Sequence, residues 1–194
     1  LNVKEMFPTI GEAIRHVSFT VSSIISTTGF STVDFELWPE LSRTIIVLIM
    51  FIGACAGSTG GGIKLMRIII LFKGMAKELR VMIHPKQLKK ITIDSHSVEH
   101  EVVRSVNMYM VCYILIYVVS LLAISFDNHD LITNFTAVAA TLNNIGPGLE
   151  LVGPTQNFGF FSIPSKLVLI FDMLAGRLEL FPMLLLFTPA TWKK

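Results

Sequence analysis

The hydrophobic residues of this chain form long runs that are separated by short polar or glycine-rich stretches. Residues 105–126 form an uninterrupted apolar run of about the 20 residues that a helix needs to cross a hydrocarbon core of roughly 30 Å. Residues 166–187 form a second run of that length, although it contains Asp172, Arg177 and Glu179. The pattern therefore predicts two complete membrane helices.

Two further apolar runs, residues 44–52 and 63–72, are each too short to cross a membrane. Joined, they are long enough for one membrane helix that is interrupted at mid-depth by a glycine-rich insert. Irregular backbone at that depth is tolerated only where it is buried in protein or lines a watery cavity. We therefore expect the insert to be a gate or an ion site. Its candidate residues are Gly53, Ala54, Gly57, Ser58, Thr59, Gly60, Gly61 and Gly62.

Two moderately apolar stretches, residues 9–25 and 131–142, have the length of short helices, and a glycine-containing turn follows each. The first carries too many polar residues to face lipid along its whole length, so we expect other protein to shield it. Gly29 and Gly146 permit backbone geometries in these turns that are closed to other residues. Each stretch is therefore predicted to be a short helix that ends in a special turn.

The two halves of the chain repeat one another. When Gly29 is placed over Gly146 and an insertion is allowed in the loop that follows, Gly53 falls on Gly176. Each copy then consists of a short helix, a glycine turn, a loop, a proline, a basic residue and a long helix. Only the second copy has an uninterrupted span before it. We therefore expect the chain, which begins with Leu1, to be a piece of a longer protein.

The composition is that of a membrane protein. Hydrophobic residues make up 52%, charged residues 15%, and the mean hydropathy is +0.65, whereas soluble domains carry about 25% charged residues. We interpret Cys55 and Cys112 as packing residues and expect no disulfide.

The distribution of charge predicts which segments face the cytoplasm. Residues 64–104 contain nine basic and four acidic residues, whereas the loop of residues 127–150 contains three acidic residues and no Lys or Arg. Lys and Arg favour the cytoplasmic side of a membrane. We therefore expect residues 73–104 and the C-terminus in the cytoplasm and the acidic loops outside.

A span, a re-entrant short helix with a glycine turn and a second span form the unit of a cation pore. Filters of such pores use rings of backbone carbonyls to replace the hydration shell of the ion. The short helix directs its partially negative C-terminus at the ion. The acidic outer loops would enrich cations at the mouth.

Four motifs carry a resemblance to a known family. They are Ser-Thr-Thr-Gly-Phe-Ser at 26–31, Gly-Ala-Cys-Ala-Gly-Ser-Thr-Gly-Gly-Gly-Ile-Lys at 53–64, Asn-Asn-Ile-Gly-Pro-Gly at 143–148 and Gly-Arg-Leu-Glu-Leu at 176–180. In this order they resemble the C-terminal half of the Trk/Ktr/HKT superfamily of potassium transporters, above all its TrkH branch. The resemblance implies an all-α membrane protein with four pore units around one pore. Residues 1–72 would be the third unit without its first span, 73–104 a cytoplasmic basic linker and 105–194 the fourth unit.

The resemblance also assigns roles to individual residues. The insert would be a gating loop beneath the filter, and Arg177 would reach into the pore near that loop. K⁺, as the transported ion, would bind at the filter residues, with no resident cofactor. Those residues would be Ser26, Thr27, Thr28 and Gly29 in the third unit and Asn143, Asn144, Ile145 and Gly146 in the fourth.

The family further implies partners and a location in the cell inner membrane. The partners are membrane lipid, the missing N-terminal half, a second copy in a homodimer and a TrkA-like nucleotide-binding subunit at the cytoplasmic face, but no nucleic acid. Whether passage is channel-like or is symport with H⁺ or Na⁺ stays open, as does the preference for K⁺ over Na⁺.

Each assignment has a plainer alternative. The insert could be a site of close helix packing, since small residues let membrane helices approach one another. Arg177 could form a structural ion pair with another helix. Asn143 and Asn144 could be an ordinary turn before Gly-Pro. The basic linker could contact anionic lipid or a partner protein.

Other classes of function are also open to this sequence. His96, Glu99 and His100 match the H-x-x-E-H zinc motif, which on a helix would place both histidines on one face and would make the chain a membrane zinc hydrolase. The motif lies in a charged stretch without an evident third ligand. The insert has the glycine spacing of a nucleotide P-loop, but Ile63 stands where that motif requires lysine. A purely structural membrane subunit is the third possibility.

Overall fold

The computed structural model describes residues 6–53, 60–84, 91–93, 96–178, 180–186 and 192 of the chain. Within them the protein is largely helical. The helices are α1 Ile10–Ile25, α2 Glu40–Met50, α3 Leu65–Ile83, α4 His100–Ile124, α5 Leu131–Leu142, α6 Ile163–Leu178 and α7 Leu180–Leu186. Short 3₁₀ turns span Phe35–Leu37, Ser125–Asp127, Glu150–Val152 and Phe158–Phe160. Four two-residue strands are β1 Ile52–Gly53, β2 Ile63–Lys64, β3 Thr92–Ile93 and β4 His96–Ser97.

The bounds of the helices follow the internal repeat. The short helices α1 and α5 end at Ile25 and Leu142, which are aligned positions of the two copies. The helices α2 and α6 then begin at Glu40 and Ile163, which are also aligned. The repeat read from the sequence is therefore a repeat of structure.

Side-chain caps fix the start of each short helix. The Thr9 hydroxyl accepts a hydrogen bond from the backbone N–H of Glu12 at 3.2 Å. The Asp130 carboxylate accepts one from the N–H of Ile132 at 2.9 Å. Both residue types are favoured at this position because they satisfy N–H groups that the helix leaves unpaired.

The interrupted helix predicted from the sequence is present as α2 and α3 with a small sheet between them. Helix α2 ends at Met50, and β1 then pairs in parallel with β2, with Ile52 opposite Ile63. Because the pairing is parallel, the chain leaves the insert in the direction in which it entered. Of the insert, residues 54–59 lie outside the described part of the chain.

Helix α3 extends beyond the apolar run. It continues without a break from Leu65 to Ile83, so it passes through the boundary set at residues 72 and 73 and carries the first part of the basic segment. Helix α4 likewise begins at His100, before the boundary at residues 104 and 105. The predicted span of residues 166–187 is divided between α6, which ends at Leu178, and α7, which begins at Leu180. Hydropathy therefore located the apolar part of these helices, not their ends.

The fourth unit has the more complete core. Helix α5 packs against α4 and α6, and most of its residues are buried, with Ala137, Val138 and Ala139 fully so. Helix α1 is its counterpart, yet Ile10 and Ile14 there are 68% and 62% exposed. The difference follows from the repeat, because α4 covers α5 and the described residues contain no equivalent span beside α1.

One stretch of the described residues is long and apolar enough to cross a membrane as a single helical run. It is His100–Asp127, with 28 residues and a mean hydropathy of 2.3. One such helix also occurs in the cores of soluble proteins, so the membrane assignment needs the independent comparison given below.

A polar cluster joins helix α2 and the loop before it to the loop that follows α5. The Arg43 guanidinium on α2 lies 2.8 Å from the Glu36 carboxylate in its own unit and 3.0 Å from the Glu150 carboxylate in the fourth unit. The other Glu36 oxygen accepts a hydrogen bond from the backbone N–H of Glu150 at 2.8 Å. The carboxylates of Glu36 and Glu150 are therefore bound to an arginine, which limits the expected cation enrichment by these two acids.

We expect Arg43→Gln to destabilise the contact between the two units. Loss of the charge leaves Glu36 and Glu150 close together without their shared cation, which would cost about 1–2 kcal/mol for a partly exposed cluster. The measurement is the thermal unfolding midpoint of the full-length protein in detergent, at low and at high salt.

Lys166→Gln is the matched control. Lys166 is aligned with Arg43 in the repeat, but its ammonium group donates to the Gly159 carbonyl of its own unit at 2.7 Å. We expect a smaller shift of the unfolding midpoint and little dependence on salt. Equal shifts for the two variants would show that Arg43 does not join the units.

Candidate ion site

The two predicted filter turns have the same hydrogen-bond pattern. After α1, the N–H of Thr28 donates to the Ser23 carbonyl at 2.8 Å. After α5, the N–H of Ile145 donates to the Ala140 carbonyl at 2.8 Å. Each bond joins an N–H to the carbonyl five residues earlier, which is the pattern of a Schellman motif at the C-terminus of a helix.

The backbone of both turns enters the left-handed region at matching positions. Thr27 and Asn144 both have φ of 55°, and two residues later Gly29 and Gly146 have φ of 78° and 105°. Non-glycine residues rarely adopt positive φ, and threonine is costly there because it is β-branched. Residues 27 and 144 are the positions at which a Schellman motif requires the left-handed conformation, so the threonine is the unusual choice and the matching geometry shows that the two turns are equivalent.

The two turns lie against each other. A Cβ atom added to Gly29 would overlap the carbonyl oxygen of Ile145 and lie 3.3 Å from the Cδ of Pro147. A cavity of about 570 Å³ is lined by both turns, through Thr27 and Thr28 on one side and Asn144, Ile145 and Gly146 on the other. The structure therefore brings together turns that are more than a hundred residues apart in the chain.

The side chain of Asn143 does not line this cavity. Asn143 is fully buried, and its Oδ1 accepts a hydrogen bond from the Tyr113 hydroxyl of α4 at 2.8 Å. Its Nδ2 donates to the Ala139 carbonyl at 2.8 Å. The prediction that residue 143 belongs to the filter segment concerns its backbone, since the side chain is directed into the protein behind the turn.

The neighbouring Asn144 is held from another side. Its Nδ2 donates to the Met173 carbonyl on α6 at 3.0 Å. A Cβ added to Gly176 of α6 would overlap the Leu142 carbonyl oxygen and lie 2.7 Å from that same Nδ2. Helix α6 therefore packs directly on the turn that follows α5.

Two described glycines of the insert, Gly61 and Gly62, lie against the turn that follows α5. A Cβ added to Gly61 would overlap the Asn143 carbonyl oxygen, and one added to Gly62 would lie 3.3 Å from Asn143 Oδ1. Gly61 and Gly62 are buried, and Gly60 is half-buried. Gly53, at the start of the insert, packs against Gly61. The other candidate insert residues, Ala54, Gly57, Ser58 and Thr59, lie outside the described part of the chain.

Two of the charged residues in α6 differ in their surroundings. Asp172 is fully buried, and the Ser120 hydroxyl of α4 donates to it at 2.7 Å, so it faces neighbouring protein as expected. Arg177 lies in the last turn of α6, one residue beyond Gly176, and is exposed. Its assignment as a pore arginine stays a prediction. Glu179 lies outside the described residues.

The zinc motif does not form the geometry that its chemistry requires. His96 lies in strand β4, opposite Ile93, whereas His100 is the first residue of α4. The two histidines are therefore not on one helix. Within the ranges that the structure describes, no group of three or more His, Cys, Asp and Glu side chains could hold a metal ion.

Sequence reasoning missed two residues of this region. In the sequence, Arg43 is only the basic residue that precedes a long helix, and Tyr113 is only one residue of an apolar run. Their partners, Glu150 and Asn143, are 107 and 30 residues away in the chain. The alignment of Arg43 with a lysine was the one available signal for the first, and no pattern signals the second.

Comparisons with known proteins agree with this architecture. The family model for TrkH, described as a cation transport protein, matches residues 6–194. The Trk system potassium uptake protein TrkH of Escherichia coli K12 is 39% identical over 181 residues, which are 93% of this chain and 37% of that protein. The TrkG potassium uptake protein of the same organism is 34% identical over 178 residues, which are 92% of this chain and 36% of that protein.

A solved structure has the same fold. The crystal structure of the potassium transporter TrkH from Vibrio parahaemolyticus matches with a TM-score of 0.84 and 38% identity, covering 96% of this chain and 40% of that one. The chain thus spans a little over a third of the length of these relatives. The match confirms the all-α membrane fold with pore units, and nothing in these comparisons supports a zinc hydrolase. The chain belongs to the TrkH family of cation transport proteins.

Proposed function

We propose that this chain supplies two of the pore units of a potassium uptake protein and that its two filter turns line the path of the ion. The observation that carries the proposal is the contact of two equivalent turns, Gly29 against the Ile145 carbonyl, beside one shared cavity. We take K⁺ as the ion because the relatives are named potassium uptake proteins.

The physics of the proposal is replacement of water by protein oxygen. An ion that enters a narrow path loses its hydration shell, and backbone carbonyls can take the place of those waters. The short helices α1 and α5 both end at the cavity, so their partially negative C-termini stabilise a cation there. K⁺ is the cargo of this path, and no resident cofactor is needed.

The proposal includes the rest of the assembly. Because the chain spans about 37% of its curated relatives, we assign residues 1–72 to a third unit, 73–104 to a cytoplasmic linker and 105–194 to a fourth unit of a longer polypeptide that crosses the inner membrane several times. A second copy would form a homodimer within the lipid. A TrkA-like nucleotide-binding subunit would contact the cytoplasmic face.

The first test replaces the glycine between the two turns. Gly29→Ala puts a methyl group where the Ile145 carbonyl oxygen lies and strains a residue with φ of 78°. We expect the full-length protein to lose at least about tenfold in K⁺ or Rb⁺ uptake, which corresponds to about 1.4 kcal/mol in the barrier. The measurement is ion uptake by a strain that lacks its own potassium uptake systems.

Gly11→Ala is the matched control, because an added Cβ meets no heavy atom within 4 Å at that position of the same unit. We expect uptake close to that of the unmodified protein. Unchanged uptake by Gly29→Ala would exclude the turn from the ion path. A full-length protein that never restores uptake would favour a structural membrane subunit.

The second test concerns the insert, which we propose to be a movable plug beneath the filter. Deleting Gly60 and Gly61 shortens the segment that packs under the Asn143 carbonyl, so we expect faster K⁺ or Rb⁺ flux through a less obstructed path. Flux should be measured on purified full-length protein in vesicles, so that the amount of protein is known.

Gly74→Ala serves as the control for glycine replacement on the same interrupted helix. An added Cβ there would lie 3.9 Å from the Cδ1 of Ile91, an ordinary contact. Flux that is the same in the deletion variant and in the unmodified protein contradicts the plug. Such a result would favour simple helix packing as the reason for the glycines.

We further propose that Arg177 opposes cations near the plug. A fixed positive charge beside a cation path raises the barrier to passage, and Arg177 follows directly after the glycine that packs on the filter turn. We therefore expect Arg177→Gln to increase flux in the vesicle assay, whereas Arg177→Lys should retain most of the barrier. A fall in flux and in thermal stability for Arg177→Gln would indicate a structural ion pair instead.

A further inference from the structure

A column of tyrosines on α4 faces the fourth filter turn. Tyr109, Tyr113 and Tyr117 are spaced by one helical turn and are all buried. Two of their hydroxyls donate to the short helix and its turn. Tyr117 donates to the Phe135 carbonyl in the middle of α5 at 2.8 Å, whereas Tyr113 donates to the side chain of Asn143, at the filter end, at 2.8 Å.

Both polar atoms of the Asn143 side chain have a hydrogen-bond partner. Its Oδ1 accepts from Tyr113, and its Nδ2 donates to the Ala139 carbonyl one turn back in α5. The backbone N–H of Asn143 also donates to Ala139, at 3.1 Å. Because a buried polar atom without a partner is costly, the Tyr113 hydroxyl holds Asn143 in one position.

The same residue is the point where the insert meets the filter turn. The carbonyl oxygen of Asn143 lies against Gly61, and its Oδ1 lies near Gly62. A displacement of Asn143 would therefore move the turn and change its contact with the insert together. The chain of contacts runs from Tyr113 through Asn143 to both elements.

In the third unit, the described partners of the aligned residue are local. Ser26 is aligned with Asn143, but its hydroxyl donates to the Ser22 carbonyl of its own helix at 2.6 Å and pairs with the Thr28 hydroxyl at 2.8 Å. Both partners belong to the same helix and turn.

We infer that Tyr113 is a positioning residue that holds the fourth filter turn, through Asn143, at the geometry that distinguishes K⁺ from Na⁺. This inference rests on the proposed function. It adds that cation preference depends on a hydroxyl that never touches the ion. Small changes in the position of filter carbonyls alter which hydration shell they can replace, so loss of the anchor should change the ratio of the two ions rather than only the amount transported.

The test compares Tyr113→Phe with Tyr117→Phe in the full-length protein. Both variants remove one buried hydroxyl from neighbouring turns of α4, but only the first breaks a bond to the filter turn. The measurement is the ratio of K⁺ to Na⁺ uptake in vesicles. We expect Tyr113→Phe to lower the ratio by about fivefold or more, and Tyr117→Phe to leave it unchanged even if less protein is recovered.

Asn143→Leu supplies a second measurement, which tests the same hydrogen bond if Tyr113→Phe does not fold. It removes the acceptor, so it should also lower the ratio. Combining it with Tyr113→Phe should recover stability, because neither partner is then left unpaired, and should change the ratio no further. An effect of Tyr113→Phe that adds fully to that of Asn143→Leu would show that the tyrosine acts elsewhere.

The outcomes separate this inference from the function on which it rests. If the unmodified protein transports no K⁺, the proposed function fails. If it transports K⁺ and Tyr113→Phe retains the original K⁺ to Na⁺ ratio, Tyr113 is not a positioning residue. Equal changes of the ratio in both tyrosine variants would also overturn the inference, because they would reflect a general loosening of the core.

Discussion

The structure depends on the close approach of backbone to backbone around the turn after α5. Three glycines from different elements meet carbonyl oxygens of that turn: Gly176 meets Leu142, Gly61 meets Asn143, and Gly29 meets Ile145. Any side chain at these positions would overlap an oxygen atom. Glycine is the residue that permits such contact, and its repeated use on all sides keeps the turn narrow, enclosed and fixed.

Enclosure on this scale creates a problem of polar groups, and α5 solves part of it internally, although Thr133 Oγ1 and Asn134 Oδ1 are buried without a hydrogen-bond partner among the described residues. Its threonines donate back to carbonyls one turn earlier, as Thr141 does to Ala137 at 2.8 Å and Thr136 to Ile132 at 2.8 Å. The tyrosine hydroxyls of α4 find their own acceptors on α5 and its turn, in the Phe135 carbonyl and in Asn143 Oδ1. In surroundings without water each unpaired group would cost several kcal/mol. A helix as buried as α5 is therefore best packed against side chains such as tyrosine, which are apolar along the ring and carry one hydroxyl at the end.

Much of this architecture could be predicted from the sequence, because it follows from local rules. The ends of α1 and α5 at Ile25 and Leu142 follow from apolar runs that stop at special turns. The break between α2 and α3 follows from the glycines, and the equivalence of the turns at Gly29 and Gly146 follows from the repeat. Hydropathy, turn chemistry and internal similarity are all readable along the chain.

The contacts that lie across the chain could not be predicted in the same way. Nothing in the pattern indicated that the Asn143 side chain would turn away from the cavity, since Asn-Asn before Gly-Pro is compatible with either direction. The end of α3 at Ile83, by contrast, is where the sequence predicts a break, because Pro85 disfavours helical geometry at His84. Hydropathy reports the solvent around a helix and not its length.

The two copies of the repeat use one aligned glycine in different ways. In the fourth unit, Gly176 remains helical and packs on the turn of its own unit. In the third unit, Gly53 lies in β1, where its backbone meets Gly61. In the third unit the helix ends at Met50, and Gly61 and Gly62, on the far side of the insert, contact Asn143 after α5. In the fourth unit the helix continues past Gly176 to Leu178 and contacts Leu142 at the same turn. The missing side chain therefore serves close packing in both copies, against the turn after α5 in one and against the chain that returns from the insert in the other.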